Sequence, residues 1–82
     1  MKKQTAKSRI TFNPKILRGK PIIQGTRISV ELILELLAGN WSFADILSQY
    51  PQLKKADILA SLGYSAKRLK REEILFTHAI AS

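Results

Sequence analysis

The residues of this chain that could do chemistry are few and far apart. His78 is the single histidine, and no nucleophile or second base stands beside it, so nucleophilic or acid–base catalysis has no partner set. The acids Glu31, Glu35, Asp45 and Asp57 fall at helix-surface or capping spacings, not as the paired carboxylates of proton transfer. Gly19-Lys20 and Gly25-Thr26 are fragments of a phosphate-binding loop, but the full Gly-x4-Gly-Lys-[Ser/Thr] string is missing. There is no cysteine, hence no disulfide framework and no thiolate metal site. The expectation is a non-enzyme with no catalytic residue, no metal and no cofactor.

What remains is positive charge. The net charge is +8, and residues 1–30 carry eight basic side chains with no acid among them. Like charges gathered at one end repel one another, and such asymmetry points to a polyanion or an acidic protein partner. The plain alternative is a solvated surface that keeps a small protein soluble.

Eighty-two residues make one small domain with a marginal core, for which oligomerisation is a natural supplement. The basic N-terminus has no apolar run behind it, so it is not a signal peptide. No apolar stretch approaches the roughly 20 residues that span a bilayer. A soluble, cytoplasmic protein with no membrane partner is expected.

The elements that must position the charges are organised around Gly19-Lys20-Pro21-Ile22-Ile23-Gln24-Gly25-Thr26-Arg27-Ile28-Ser29-Val30. Pro21 pushes Lys20 towards an extended conformation, Ile22-Ile23 suits a strand, and Gly25 permits a turn through positive φ. Ser29 stands where a helix N-cap belongs. Before this stretch come a basic arm, residues 1–8, and a short alternating strand, Arg9-Ile10-Thr11-Phe12, ended by Asn13-Pro14. Two strands this short need helices or a second copy to support them.

After it, the first helix runs from Val30 to about Ala38 with Gly39 as its stop. It is apolar most of the way round, as suits a central helix or a subunit contact. Ser42 and Asp45 open a second helix as a capping box, and Pro51 closes it. A third helix starts at Lys54 or Lys55, with Ile58, Leu59, Leu62, Ala66 and Leu69 at helical spacing. Gly63 either allows a close contact or ends this helix early. Residues 69–82 form a C-terminal helical extension and apolar tail. The fold class is therefore mainly α: a small three- to four-helix, helix-turn-helix-like domain over residues 9–68, with a short N-terminal β-strand pair.

The second helix, Pro51-Gln52-Leu53 and the third helix have the outline of a helix-turn-helix. In that motif the N-terminal residues of the second helix face base edges, here Lys54, Lys55, Asp57 and Ser61. A three-helix bundle with no nucleic-acid role would show the same apolar spacing. RNA is disfavoured, since no aromatic stacking platform is interleaved with the basic residues.

Ile10, Asn13-Pro14, the central Gly19–Val30 string, Gly39 and Tyr50-Pro51-Gln52-Leu53 together resemble the domain of unknown function 433 family, small bacterial and archaeal proteins with a helix-turn-helix-like fold. The resemblance covers about residues 9–68. Two departures stand out: Lys54 replaces the hydroxyl residue that usually opens the third helix, and the alanine-rich pattern around Tyr64 is only partly present.

The resemblance implies the antitoxin half of a type II toxin–antitoxin pair, which silences a PIN-like ribonuclease toxin and represses its own operon by binding double-stranded operator DNA. On that reading the protein is a homodimer. Lys54, Lys55 and Ser61 face the groove, and Lys15, Arg18, Lys20 and Arg27 hold phosphate. Leu69, Leu75, Phe76 and Ile80 dock on the toxin. The alternative is an interaction module that binds an acidic partner, or dimerises, without touching DNA. Arg27, Gly25 and Thr26 also have a purely architectural reading, as the makers of the strand-to-helix turn.

Overall fold

The computed structural model describes residues 9–81, and the side chains of residues 9–71. Strand β1 (Ile10–Thr11) pairs antiparallel with β2 (Ile22–Ile23), in the register Ile10 to Ile23 and Thr11 to Ile22. Helices α1 (Val30–Ala38), α2 (Phe43–Gln49) and α3 (Lys55–Ala81) follow. The protein is mainly helical with a two-stranded sheet ahead of three helices.

The central string folds as its residue types dictate. Lys20 is extended at φ −65° and ψ 153°, as the following proline requires. After β2 the Thr26 N–H donates to the Ile23 carbonyl at 3.0 Å, across Gly25 at φ +81°. A glycine there fits a tight turn whose third residue is left-handed. Thr26 then pins the turn twice. Its hydroxyl donates to the Ile23 carbonyl at 2.8 Å and accepts from the Ile28 N–H at 2.9 Å. The chain doubles back on β2, with the Ile23 N–H donating to Ile28 and the Val30 N–H donating to Pro21. The Ser29 hydroxyl accepts from the Leu32 N–H at 2.9 Å and caps α1. Gly25 and Thr26 thus have an architectural duty that the structure accounts for fully.

Helix α1 ends at Ala38 with Gly39 as its C-cap, as expected; Gly39 sits at φ −84°, and the left-handed residue is the next one, Asn40, at φ +74°. The Asn40 N–H donates to Leu37 and the Trp41 N–H to Leu36, both at 3.0 Å, which is the Schellman closure that satisfies the last carbonyls of a helix. Ser42 and Asp45 make the expected capping box on α2, at 2.9 and 3.0 Å.

The core is aliphatic. Ile33, Ile46 and Ile58, one from each helix, are fully buried, with Ile10, Ile23, Ile28, Val30, Leu53 and Ala60 around them. Each strand of the sheet therefore lends an isoleucine to the helical core, which is how so short a pair is supported. Helix α1 buries Val30 and Ile33, while Leu32, Leu34, Leu36 and Leu37 are half-buried. Helix α3 passes through Gly63 without a break and runs for 27 residues. The Phe12 ring approaches Tyr64 of α3, with centroids 6.3 Å apart, tying the end of β1 to the middle of the helix.

Candidate nucleic-acid interface

Helices α2 and α3 are joined by a turn over residues 50–54 in which Leu53 is 5% exposed. The Leu53 N–H donates to the Tyr50 carbonyl at 2.9 Å. An apolar plug and a backbone bond hold the turn, so the direction in which α3 leaves it is set by packing. Lys54 and Lys55 stand exposed at the start of α3. The positive end of the helix dipole adds to their charge there.

The first turn of α3 is secured by a residue pair that sequence spacing alone does not identify. Asp57 is 5% exposed, and its Oδ1 accepts from Arg9 Nη1 at 2.8 Å. Its Oδ2 accepts from the backbone N–H of Lys54 at 2.8 Å. This is half a capping box: Lys54 has no hydroxyl to reciprocate, but the acid three residues on still satisfies one orphan N–H. A buried carboxylate needs such a set of partners. Asp57 is therefore committed to the fold and unavailable for reading a base. The helical spacing from Lys54 was the signal for the cap; nothing in the sequence pointed to Arg9.

Ser61 must be corrected. It is fully buried, and its hydroxyl donates to the Asp57 carbonyl at 2.9 Å. It lies on the core face of α3 and cannot face a groove. The cause is the helical period: Ser61 is one turn on from Asp57 and shares its inward side.

The other basic residues lie on the loops that flank the strands. Lys15 is exposed, and its backbone N–H donates to Asn13 Oδ1 at 2.9 Å. Arg18 is exposed within a short 3-10 turn, Leu17–Gly19, whose residues all have positive φ. Lys20 is exposed but engaged: its Nζ donates to Glu31 Oε1 at 2.8 Å. That bond, and then the Glu31 charge, raise the Lys20 pKa above its ordinary 10.5. In exposed surroundings such a pair is weak, so Lys20 remains a cation that a phosphate can compete for. Arg27 is exposed and borders a cavity of about 440 Å³ shared with Thr11, Phe12, Asn13, Ile16 and Thr26.

A second depression of about 570 Å³ runs between α1 and α3, lined by Phe12, Leu34, Glu35, Tyr64, Arg68 and Leu69 among others. Arg68 donates to the Tyr64 hydroxyl at 3.2 Å and stacks 5.9 Å from its ring centroid. Leu69 is two-thirds exposed; Leu75, Phe76 and Ile80 lie outside the residues whose side chains are described. Among the described residues no cluster of His, Cys, Asp and Glu could hold a metal ion. No described helix is long and apolar enough to cross a membrane.

No curated protein and no solved structure matches this chain. One family model does, described as "Protein of unknown function (DUF433)", over residues 10–65. That interval takes in the sheet, the Gly25 turn, α1, α2 and the start of α3, and on it the chain belongs to the DUF433 family.

Proposed function

We propose that this protein is an antitoxin-like regulator that binds double-stranded operator DNA as a homodimer and neutralises a PIN-like ribonuclease toxin. It acts by binding alone, without catalysis or a cofactor, in the cytoplasm. The observation that carries the DNA half is the pair of exposed lysines, Lys54 and Lys55, at the start of the second helix of a helix-turn-helix. That is where the motif meets base edges. Lys15, Arg18, Lys20 and Arg27 supply phosphate contacts, which position a protein on DNA without specifying sequence. The toxin half rests on the family resemblance and on the apolar extension of α3. Leu69 begins that extension, and Leu75, Phe76 and Ile80 follow it in sequence.

The test is fluorescence anisotropy of the purified protein with its own upstream duplex and with a scrambled duplex, at two salt concentrations. Tighter binding to the upstream duplex that survives the higher salt is the expected result. Equal binding to both, erased by salt, would mean that the charge is merely adhesive. The repressor half would then be abandoned.

A second reading, a protein-interaction module with no DNA role, is favoured by one observation: Leu59, Leu62 and Leu69 are all exposed on one helix. A partner that co-purifies at fixed stoichiometry, with no DNA shift, would establish it.

A further inference from the structure

The cavity beside Arg27 has walls that are set before anything enters it. One wall is the end of β1 and the loop after it, Thr11 to Asn13 with Ile16; the other is the turn Gly25-Thr26-Arg27. The Gln24 N–H donates to the Arg9 carbonyl at 2.8 Å and ties the two together. Asn13 holds the first wall: its Oδ1 accepts from the Lys15 N–H at 2.9 Å, and its carbonyl from the Ile16 N–H at 2.8 Å. Thr26 pins the second through both of its hydroxyl bonds. A site held in this way loses little freedom on binding.

What the walls offer is one-sided. With Asn13 Oδ1 engaged, the amide nitrogen of that side chain is left as a donor. The Thr11 hydroxyl and the Arg27 guanidinium make no hydrogen bond or ion pair among the described residues. No acidic residue among the described ones lines the space, and exposed Lys15 and Arg18 lie on the same loop as Ile16, so the local potential is positive. Beside these donors stands an apolar surface: Phe12 is 55% exposed and Ile16 is half-buried, both against the same cavity.

We propose that this cavity binds a small organic acid, a carboxylate carried on an aromatic or branched apolar body. Arg27 holds the carboxylate, since a guanidinium presents paired N–H groups to both oxygens, and Asn13 and Thr11 are further donors. The body covers Phe12 and Ile16. Both halves are required. An uncharged apolar molecule would strip water from three donors and leave them unpaired. A bare phosphate would satisfy the donors and leave the apolar surface wet. The volume of about 440 Å³ falls within the range of small-molecule sites, roughly 300–1,000 Å³. This site depends on neither the DNA role nor the toxin role proposed above. It does touch the first, because an Arg27 held by an acid is not free for a DNA phosphate.

The test is an amide-detected NMR titration of the full chain, without DNA, against hydrocinnamate, its uncharged amide and inorganic phosphate. Hydrocinnamate should give saturable shifts centred on Asn13, Gly25, Thr26 and Arg27, half-complete below about 10 mM. R27Q changes an exposed residue; it should weaken that binding by about tenfold or more, with signals elsewhere unmoved. R71Q removes the same charge from an exposed position on α3 and should leave the binding unchanged. Equal binding of the amide or of phosphate would overturn the proposal, since one half of the site would then be unused. Failure to saturate, or equal weakening by R71Q, would also overturn it. With no DNA present, any of these failures leaves the DNA reading standing.

Discussion

Arg9 and Asp57, 48 positions apart, meet at 2.8 Å where β1 passes the first turn of α3. Asp57 is almost entirely buried in this contact, whereas a quarter of the Arg9 side chain remains exposed. The two partners should therefore differ in what their removal does. Asp57→Ala strands a guanidinium and frees the Lys54 N–H, for a loss of about 3 kcal/mol. Arg9→Ala leaves a carboxylate that still has the Lys54 N–H, and a loss of about 1–2 kcal/mol is expected. Urea unfolding of the two variants checks the order; equal losses would show that the ion pair, and not the cap, dominates.

Asp45 gives the fold a measurable acid dependence. Bonds from Ser42, its backbone N–H first and its side chain second, hold the Asp45 carboxyl below its ordinary 3.8. A group whose pKa is lowered by folding contributes stability that is fully present above the unfolded value and lost as pH falls through the folded one. Wild type should exceed Asp45→Asn in urea midpoint at about pH 6, and the gap should narrow as pH drops below 3.8. A gap that stays constant into acid would rule out the charged cap as its cause.

Two glycines should respond oppositely to alanine, although an added Cβ meets nothing within 4 Å at either. Gly63 lies inside α3, where alanine is better by up to about 1 kcal/mol, so Gly63→Ala should raise the melting temperature. Gly25 sits at φ +81°, and Gly25→Ala should cost about 1 kcal/mol through backbone strain. Calorimetry of both variants separates backbone conformation from space filling.

If α3 enters a groove, Lys54 and Lys55 should govern discrimination between duplexes: Lys54→Ala and Lys55→Ala should weaken binding to the upstream duplex more than to a scrambled one. Lys15→Ala or Arg27→Ala, by removing a phosphate contact, should instead lower the slope of log K against log salt by about 1. Ser61→Ala, on the core face, should leave that slope unchanged while weakening the fold slightly. A changed slope for Ser61→Ala with intact stability would contradict the burial of its hydroxyl.

Much of the fold was legible because it is written locally. Ser29, Ser42, Asp45 and Gly25 act on backbone atoms within four residues of themselves, and short-range grammar of that kind survives in a linear sequence. The identity of the left-handed residue after α1 was less legible, since Gly39 and Asn40 both accept that conformation. Ser61 was misread because a polar residue on a basic helix suggests solvent, whereas its hydroxyl is satisfied by a carbonyl one turn back. Arg9–Asp57 was invisible for another reason. A contact between residues 48 positions apart follows from how the sheet docks on α3, and no spacing rule encodes that.

The Arg9–Asp57 contact has a consequence for chain geometry. It acts as a clasp between the sheet and the start of α3, closing a stretch of 48 positions into one loop. The sheet cannot lift from α3 without uncovering the Asp57 carboxylate, so the two should come apart in a single step.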